Sequence, residues 1–314
     1  MTAEEAAAAF DAHRGYLTAV AYRMLGTLAD AEDAVQETYL RFARADLDAI
    51  REPRGWLTTV IGRICLDHLS SARVRREQYV GPWLPEPLVG ADAGLGMAPL
   101  TPEDRVTLDE SVSMAMLVVL ESLSPPERTA FVLHDVFSLP YEEVAATAGR
   151  SEAACRQLIS RARSRVRKRA PRFTVDARQQ NAVVEAFLSA CADGGVDTLV
   201  NVLAPDVVLR SDGGGLVSGV ARRPVTGAEN VARLLLGVAA KHPAFPSTRR
   251  VNGATGLVFE GSDGIAGVMA FTVDGGRITE IDFVVNPEKL SRVPLPSRGE
   301  RDPGADEERR ACGE

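Results

Sequence analysis

The interval 79–107 constrains this chain more than any other stretch. Gly81, Pro82, Pro85, Pro87, Gly90, Gly94, Gly96, Pro99 and Pro102 fall inside it, and no helical or alternating apolar period survives them. Proline removes a backbone donor and glycine frees the backbone, so such a stretch does not pass through the middle of a helix or a sheet. It predicts a linker between separate modules rather than one continuous core. A chain of 314 residues is long enough for that.

Before the interval the text is helical. Phe10, Leu17, Val20, Ala21, Met24 and Leu25 make one apolar stripe, and Val35, Tyr39 and Phe42 make a second after a break at residues 26–30. A third helix covers residues 55–72, with Leu57, Val60, Ile61, Ile64, Cys65 and Leu69 apolar. After the interval a helix is expected over 109–123. Ser124-Pro125-Pro126-Glu127 then reads as a capping box that opens a helix reaching about Phe137. From residue 178 the texture changes. Helices over 178–193, 197–203 and 227–241 accompany strands over 207–210, 257–260, 265–273 and 277–285. The turns at Ser262-Asp263-Gly264 and Asp274-Gly275-Gly276 mark hairpins. Helices followed by a curved antiparallel sheet make an α+β domain. Residues 293–314, rich in Pro, Gly, Arg and Glu, read as a disordered tail.

Charge is segregated. From Arg150 to Arg172 nine basic residues stand against Glu152, and from Arg51 to Arg76 six arginines stand against Glu52 and Asp67. The first fifty residues hold nine acids and four arginines. A net charge of −7 therefore does not exclude nucleic acid, because the basic blocks can meet phosphates while the acidic block meets a basic protein. Other classes are excluded more firmly. No apolar run approaches the roughly 20 residues of a bilayer span, and the acidic N-terminus is unlike a secretory signal. Cys65, Cys155, Cys191 and Cys312 are too scattered for a zinc site or a disulfide framework. The expectation is a cytoplasmic protein without metal or cofactor and away from membranes.

Residues 139–162 fit a DNA-binding helix-turn-helix. Val144 and Ala145 pack a short helix over residues 141–148, Gly149 allows the turn, and Ser151 caps a long helix reaching about Arg169. That helix is expected to bury Ala154, Leu158 and Ile159 and to present Glu152, Ala153, Arg156, Gln157, Ser160 and Arg161. Arg156 and Gln157 are suited to base edges in the major groove. Arg161, Arg163, Arg165 and Lys168 are suited to phosphates. Upstream, Asp33, Gln36, Glu37, Leu40 and Arg41 share the helix side opposite Val35, Tyr39 and Phe42, an acidic strip with an exposed leucine. Arg54, Trp56, Arg63, Arg73, Arg75 and Arg76 interleave cations with an aromatic, as single-stranded DNA binders do, although Trp56 also suits a core.

Three segments in this order and spacing resemble the extracytoplasmic function (ECF) group of bacterial RNA polymerase sigma factors. They are residues 30–41, Pro53-Arg54-Gly55-Trp56-Leu57, and the capped helix with its helix-turn-helix. The resemblance extends over about residues 8–290. It includes Trp83-Leu84-Pro85-Glu86-Pro87, Asp212-Gly213-Gly214-Gly215 and Asn286-Pro287-Glu288-Lys289-Leu290, which mark the subgroup with a fused C-terminal SnoaL-like domain. It implies two all-α sigma domains plus an α+β SnoaL-like cone. Residues 1–78 would be region 2, 79–107 a linker, 108–172 region 4, and 176–292 the SnoaL-like domain.

The resemblance also implies roles. Asp33, Gln36, Glu37, Leu40 and Arg41 would bind core RNA polymerase. Arg54, Trp56, Arg63, Arg73, Arg75 and Arg76, in and after residues 46–63, would hold the melted −10 element. Ser151, Glu152, Arg156, Gln157, Ser160, Arg161 and Arg163 would read the −35 duplex. Trp83, Leu84, Pro85, Glu86, Pro87, Asp212, Gly213, Gly214, Gly215, Asn286, Pro287 and Lys289 would form regulatory contacts between domains. In that subgroup a lysine usually follows the glycine run. Here it is Leu216, so no cation-dependent contact carries over. The resemblance implies promoter-directed transcription initiation modulated by the fused domain, with no catalysis and no separate anti-sigma partner. An unidentified small ligand of that domain is the remaining partner.

Two other readings stand beside it. One is a freestanding regulator using only the helix-turn-helix. The other is a SnoaL-like ligand-binding or cyclase/isomerase domain tethered to a DNA-binding regulator, whose acid or base would come from Asp212, Glu260, Glu280, Asp282 or His242.

Overall fold

Local chemistry sets where the helices begin. In the computed structural model, which describes residues 3–77, 79–90, 113–169, 177–242, 245–261 and 264–295, α1 spans Ala3–Leu25, α2 Leu28–Phe42 and α3 Pro53–Glu77. Thr27 caps α2, its hydroxyl oxygen accepting from Asp30 N at 3.2 Å. Phe10, Leu17 and Met24 of α1, Val35 and Phe42 of α2, and Leu57, Ile61 and Ile64 of α3 are buried. Phe10 meets the edge of Tyr39 with ring centroids 5.1 Å apart.

Beyond the interval, α4 spans Met114–Glu121, α5 Pro125–Phe131, α6 Tyr141–Ala148 and α7 Glu152–Arg169. The capping box before α5 is formed, with Ser124 N and Oγ donating to Glu127 Oε2 at 3.1 and 2.6 Å. The single helix expected as far as Phe137 instead widens over Val132–Val136, where Phe137 N donates to Val132 O five residues back. Gly149, at φ +62°, closes α6 in the left-handed conformation that glycine adopts without a Cβ clash. In α7 the innermost place of the first turn belongs to Cys155 rather than Ala154, which is half-buried. The inward row is Cys155, Leu158 and Ile159, Ala162 and Val166, at helical spacing.

The chain folds as two compact units. One gathers α1–α3 with α4–α7. Within it α3 packs closely on α6. A Cβ at Gly62 would stand 2.6 Å from Thr147 Cγ2, and Arg63 Nη2 donates to Ala146 O at 2.9 Å.

The other unit gathers residues 80–90 with the chain from Ala177 onward. Its helices are α8 (Ala177–Asp193), α9 (Val196–Val202), α10 (Ala228–Lys241) and α11 (Pro287–Leu290). Its strands are β1 (Leu203–Asp212), β2 (Val225–Thr226), β3 (Phe245–Val251), β4 (Ala254–Gly261), β5 (Gly264–Asp274) and β6 (Arg277–Val284), in the order β2-β1-β6-β5-β4-β3. The pairs are antiparallel except β1 with β6, which is parallel. These two strands are far apart in sequence and joined through α10 and the β3–β6 meander, so no tight turn forces them to oppose. Leu209, Leu257, Met269, Phe271 and Ile281 share a core with Val184 and Phe187 of α8 and Val231 of α10.

β3 was not expected. Pro246, Arg249 and Arg250 hide it, and all three suit the edge position it occupies. The Asn252-Gly253 turn behind it has positive φ at both residues, +48° and +81°.

Of the interval read as a linker, residues 80–90 are a packed strap of this second unit, and 91–107 lie outside the described residues. Leu84 and Leu88 are buried, each contributing about 1.5–3 kcal/mol of apolar burial. Of the tail, Val293 is buried and Pro294 O accepts from Arg249 at 3.4 Å. Residues 296–314 lie outside the described set.

Candidate functional site

The acidic strip stands on the outer side of α2. Leu28, Ala31, Ala34, Val35, Thr38 and Phe42 turn inward. Asp33, Gln36, Leu40 and Arg41 are exposed and Glu37 is half-buried. Leu40 is 46 % exposed, a large apolar side chain open to solvent among the described residues. Glu37 pairs with Arg41 at 2.6 Å and stands 4.0 Å from His68 Nε2.

The three described side chains of the single-strand set are all engaged within the first unit. The Arg54 guanidinium lies 4.2 Å from the Tyr16 ring centroid. Trp56 is half-buried with its ring 5.7 Å from Phe42. Arg63 is exposed but bonded to α6. Arg73, Arg75 and Arg76 fall in the last turns of α3, and their side chains lie outside the described set.

The helix-turn-helix presents its basic face outward. Ser151 caps α7, accepting from Ala154 N at 3.3 Å. Glu152, Arg156, Gln157, Ser160, Arg161 and Arg163 are exposed. Two arginines of α7 also tie the helix down. Arg163 grips Asp135 through two bonds of 2.7 Å, and Arg165 donates to Glu127 Oε2 at 2.5 Å. Burial alone would raise Glu127, but its bonds to Ser124 and the Arg165 guanidinium outweigh that and hold its carboxyl below the usual range.

In the second unit, residues far apart in sequence meet around Asp212, which is fully buried. Its Oδ2 accepts from Leu84 N at 2.8 Å and from Lys289 Nζ at 2.7 Å, and its Oδ1 accepts from Gly214 N at 3.1 Å. Lys289 Nζ also donates to Leu84 O and lies 4.0 Å from the Trp83 ring centroid. Glycine is required in the run after Asp212. Gly214 and Gly215 have φ of +62° and +76°, and added Cβ atoms would stand 2.5 Å from Asn286 Nδ2 and 3.0 Å from Val80 Cβ. Asn286 caps α11 by accepting from Glu288 N, with Pro287 at its first position. Pro85, Glu86 and Pro87 are buried along the strap, and Gly213 packs against Val220.

The far end of the strap is held by Asn252, which the sequence did not single out. Asn252 Oδ1 accepts from Leu88 N at 3.1 Å and Asn252 N donates to Leu88 O at 2.7 Å. Gly90 N adds a bond to Arg250 O at 2.9 Å. The Asn-Gly dipeptide was the available signal, as a hairpin turn; its grip on the strap was not legible.

Of the five candidate acids and base, three share one face of the sheet and two stand apart from them. Leu209 and Ile281 face the helices, so the residues next to them, Arg210 and Asp282, lie on the opposite sheet face, as do Asp212 and Glu280. Arg210 Nη1 bridges Glu280 Oε2 at 3.1 Å and Asp282 Oδ1 at 3.0 Å. Glu260 is half-buried on β4 and His242 is exposed at the end of α10. Burial pushes the Asp282 carboxyl up to about 6, because one guanidinium shared with Glu280 does not offset the lost hydration. The folded pKa thus lies above the unfolded one, and this group's contribution to stability falls as pH rises from about 4 to about 6. Asp282→Asn removes that part of the pH dependence. Urea titrations should show the stability of wild type relative to D282N declining through that window and flat above it. A constant difference would mean the carboxyl titrates normally.

No described helix is long and apolar enough to cross a membrane, and no described group of His, Cys, Asp and Glu could hold a metal.

Comparisons with known proteins agree over about nine-tenths of the chain. Residues 9–75 match Sigma-70 region 2 and residues 113–166 match Sigma-70, region 4. The chain is 41 % identical over 301 residues to the ECF RNA polymerase sigma factor SigJ of Mycobacterium tuberculosis, covering 92 % of this chain and 94 % of that protein. It is 39 % identical over 289 residues to the probable ECF RNA polymerase sigma factor SigI of the same organism, covering 90 % and 94 %. The crystal structure of SigJ superposes with a TM-score of 0.73 at 39 % identity, covering 92 % of this chain and all of that one.

Proposed function

This chain belongs to the ECF family of RNA polymerase sigma factors, and from that premise we propose that its C-terminal domain is SnoaL-like and how its surfaces divide the work. The strip Asp33, Gln36, Glu37, Leu40 and Arg41 docks on core RNA polymerase. α7 enters the major groove of the −35 duplex with Arg156 and Gln157 on base edges, while Arg161 and Lys168 serve phosphates. α3 and its terminal arginines Arg73, Arg75 and Arg76 take the melted −10 strand.

The observation that carries this reading is the exposure of opposite charges at two places on one compact unit, the acidic side of α2 and the basic side of α7. Arg63 is bonded to Ala146 O, so its use on DNA requires that bond to be given up.

The C-terminal domain acts as a built-in regulator. The strap begins three residues after α3 ends, so clasping residues 80–90 shortens the free chain between the two sigma regions. Clasped and released strap are the two states, and whatever favours one shifts the output. A separate anti-sigma protein is then not needed. The role assigned to the domain is regulatory rather than catalytic; Asp212, Glu280 and Asp282 are held in ion pairs on the sheet face away from α8 and α10.

The test is reconstitution with core polymerase and transcription from promoters upstream of the genes it controls, mapped by transcript ends. Start-site-specific transcription that requires this chain is expected. Duplex binding without polymerase and no effect on transcript ends would support a freestanding regulator instead.

A further inference from the structure

The exposed reading residue Arg156 has two partners on the helix-turn-helix itself. Its Nη2 bonds Glu152 Oε2 at 2.8 Å one turn back, and its guanidinium carbon lies 4.9 Å from the centroid of the Tyr141 ring. Tyr141 is the first residue of α6, so the contact joins the two helices of the helix-turn-helix. The ring has a second aromatic neighbour. It stacks on His134 with centroids 4.1 Å apart and planes inclined by 33°. His134 is anchored through Nδ1 at 2.7 Å from Leu139 O. Arg163, held on Asp135 by two bonds, interacts electrostatically with Tyr141. The Tyr141 ring thus meets both the Arg156 guanidinium and the His134 ring, and His134 is tied to the backbone at Leu139.

We propose that Tyr141 is a specificity-positioning residue. Its ring holds the Arg156 guanidinium as an oriented fork for one guanine edge of the −35 duplex, whereas a solvated arginine would sample many rotamers. The inference rests on the reading of α7 as the −35 reader.

The physical reason is entropic and geometric. A free arginine loses much rotamer freedom when it is fixed on a base, and a bidentate grip on guanine O6 and N7 needs the guanidinium plane aligned with the base edge. A ring beneath that plane supplies cation–π attraction and restricts the tilt. Glu152 holds the same group from the side, and a guanine replaces it at the fork. Phosphate contacts by Arg161 and Lys168 carry no such requirement, so loss of the ring should erode selectivity at one base pair and leave general affinity nearly intact.

The experiment uses the reconstituted holoenzyme and a promoter library randomised across the −35 element, read as enrichment at each position. Wild type is expected to prefer G·C at one position by about tenfold or more. Arg156→Ala erases that preference and no other. Tyr141→Leu lowers the same preference by about threefold, Tyr141→Phe keeps it, and the double variant Y141L/R156A selects no worse than R156A. Pentafluorophenylalanine at 141 keeps the packing but reverses the ring's charge distribution, and should match Tyr141→Leu. It serves if the leucine variant folds poorly.

If R156A erases the preference while Y141L and the fluorinated ring leave it unchanged, the positioning role is wrong and the −35 reading stands. If Y141L weakens every position equally, its role is structural and the proposal fails. If R156A changes no position, the assignment of Arg156 as a base reader fails, and the proposal with it.

Discussion

Reversing Asp33 and Glu37 together to Lys is expected to abolish binding to core RNA polymerase and to leave the fold intact. Both residues are off the buried row of α2, which runs through Leu28, Ala31, Ala34, Val35, Thr38 and Phe42. The internal contacts at stake are the Glu37–Arg41 pair, whose side chains are 43 % and 47 % exposed, and the longer approach of Glu37 to His68 at 4.0 Å; exposed pairs of this kind are worth about 0.5 kcal/mol. Lysine is a good helix former, so the helix itself is not penalised. The interface loses two attractions and gains two repulsions, and like charges brought together there cost several kcal/mol. At about 1.4 kcal/mol per tenfold, affinity falls by at least about a hundredfold. Cofractionation with core polymerase should vanish, with circular dichroism and melting unchanged. Retained cofractionation would remove the strip from the polymerase contact. Leu40→Ala, which deletes only apolar surface, should weaken binding to a smaller degree.

Asp212→Ala is expected to release the strap. Three donors converge on this buried carboxylate: Leu84 N, Lys289 Nζ and Gly214 N. Removing it leaves the Lys289 ammonium, 8 % exposed, beside the Trp83 ring and the Leu84 carbonyl without its carboxylate. Breaking a buried pair from one side costs about 3–5 kcal/mol. The strap's own burial is of similar size, so its docking becomes marginal while the sheet, held by its own ladder, stays folded.

The amides of Leu84 and Leu88 should exchange with solvent at least about a hundredfold faster in D212A, with those of β5 and β6 little changed. The paired variant D212L/K289M, apolar at both positions, should recover part of the protection, because it removes the buried charge instead of orphaning it. Transcription from a target promoter should change by about fivefold or more between wild type and D212A, and the sign tells whether the clasped state restrains or supports initiation. A strap that exchanges freely with no change in transcription would refute the regulatory reading.

The elements legible in the amino-acid sequence are those whose causes lie within a turn or two of chain. Ser124 with Glu127, and Gly149 with Ser151, announce helix boundaries through bonds that span three or four residues, and the helices begin there. The exposed strip of α2 was legible because a helix puts residues three and four apart on one side. The strand β3 was hidden because propensity reads Pro246, Arg249 and Arg250 as loop, and only the edge position makes them suitable. The committed states of Arg54, Arg63, Arg163 and Arg165 were hidden as well, since their partners come from other helices. Asn252 announced a turn, but the strap it holds comes from 164 residues earlier in the chain.

Sequence alone determined the two helical regions, their charge and the helix-turn-helix, because hydrophobic period, capping and turn chemistry are properties of neighbouring residues. Tertiary structure alone decided that part of an apparent linker is a buried strap, that β1 runs parallel to β6, and that Asp212 and Lys289 share one site. Each of these depends on groups brought together across long stretches of chain. Whether a proline-rich segment is free or docked is decided by the surface that receives it.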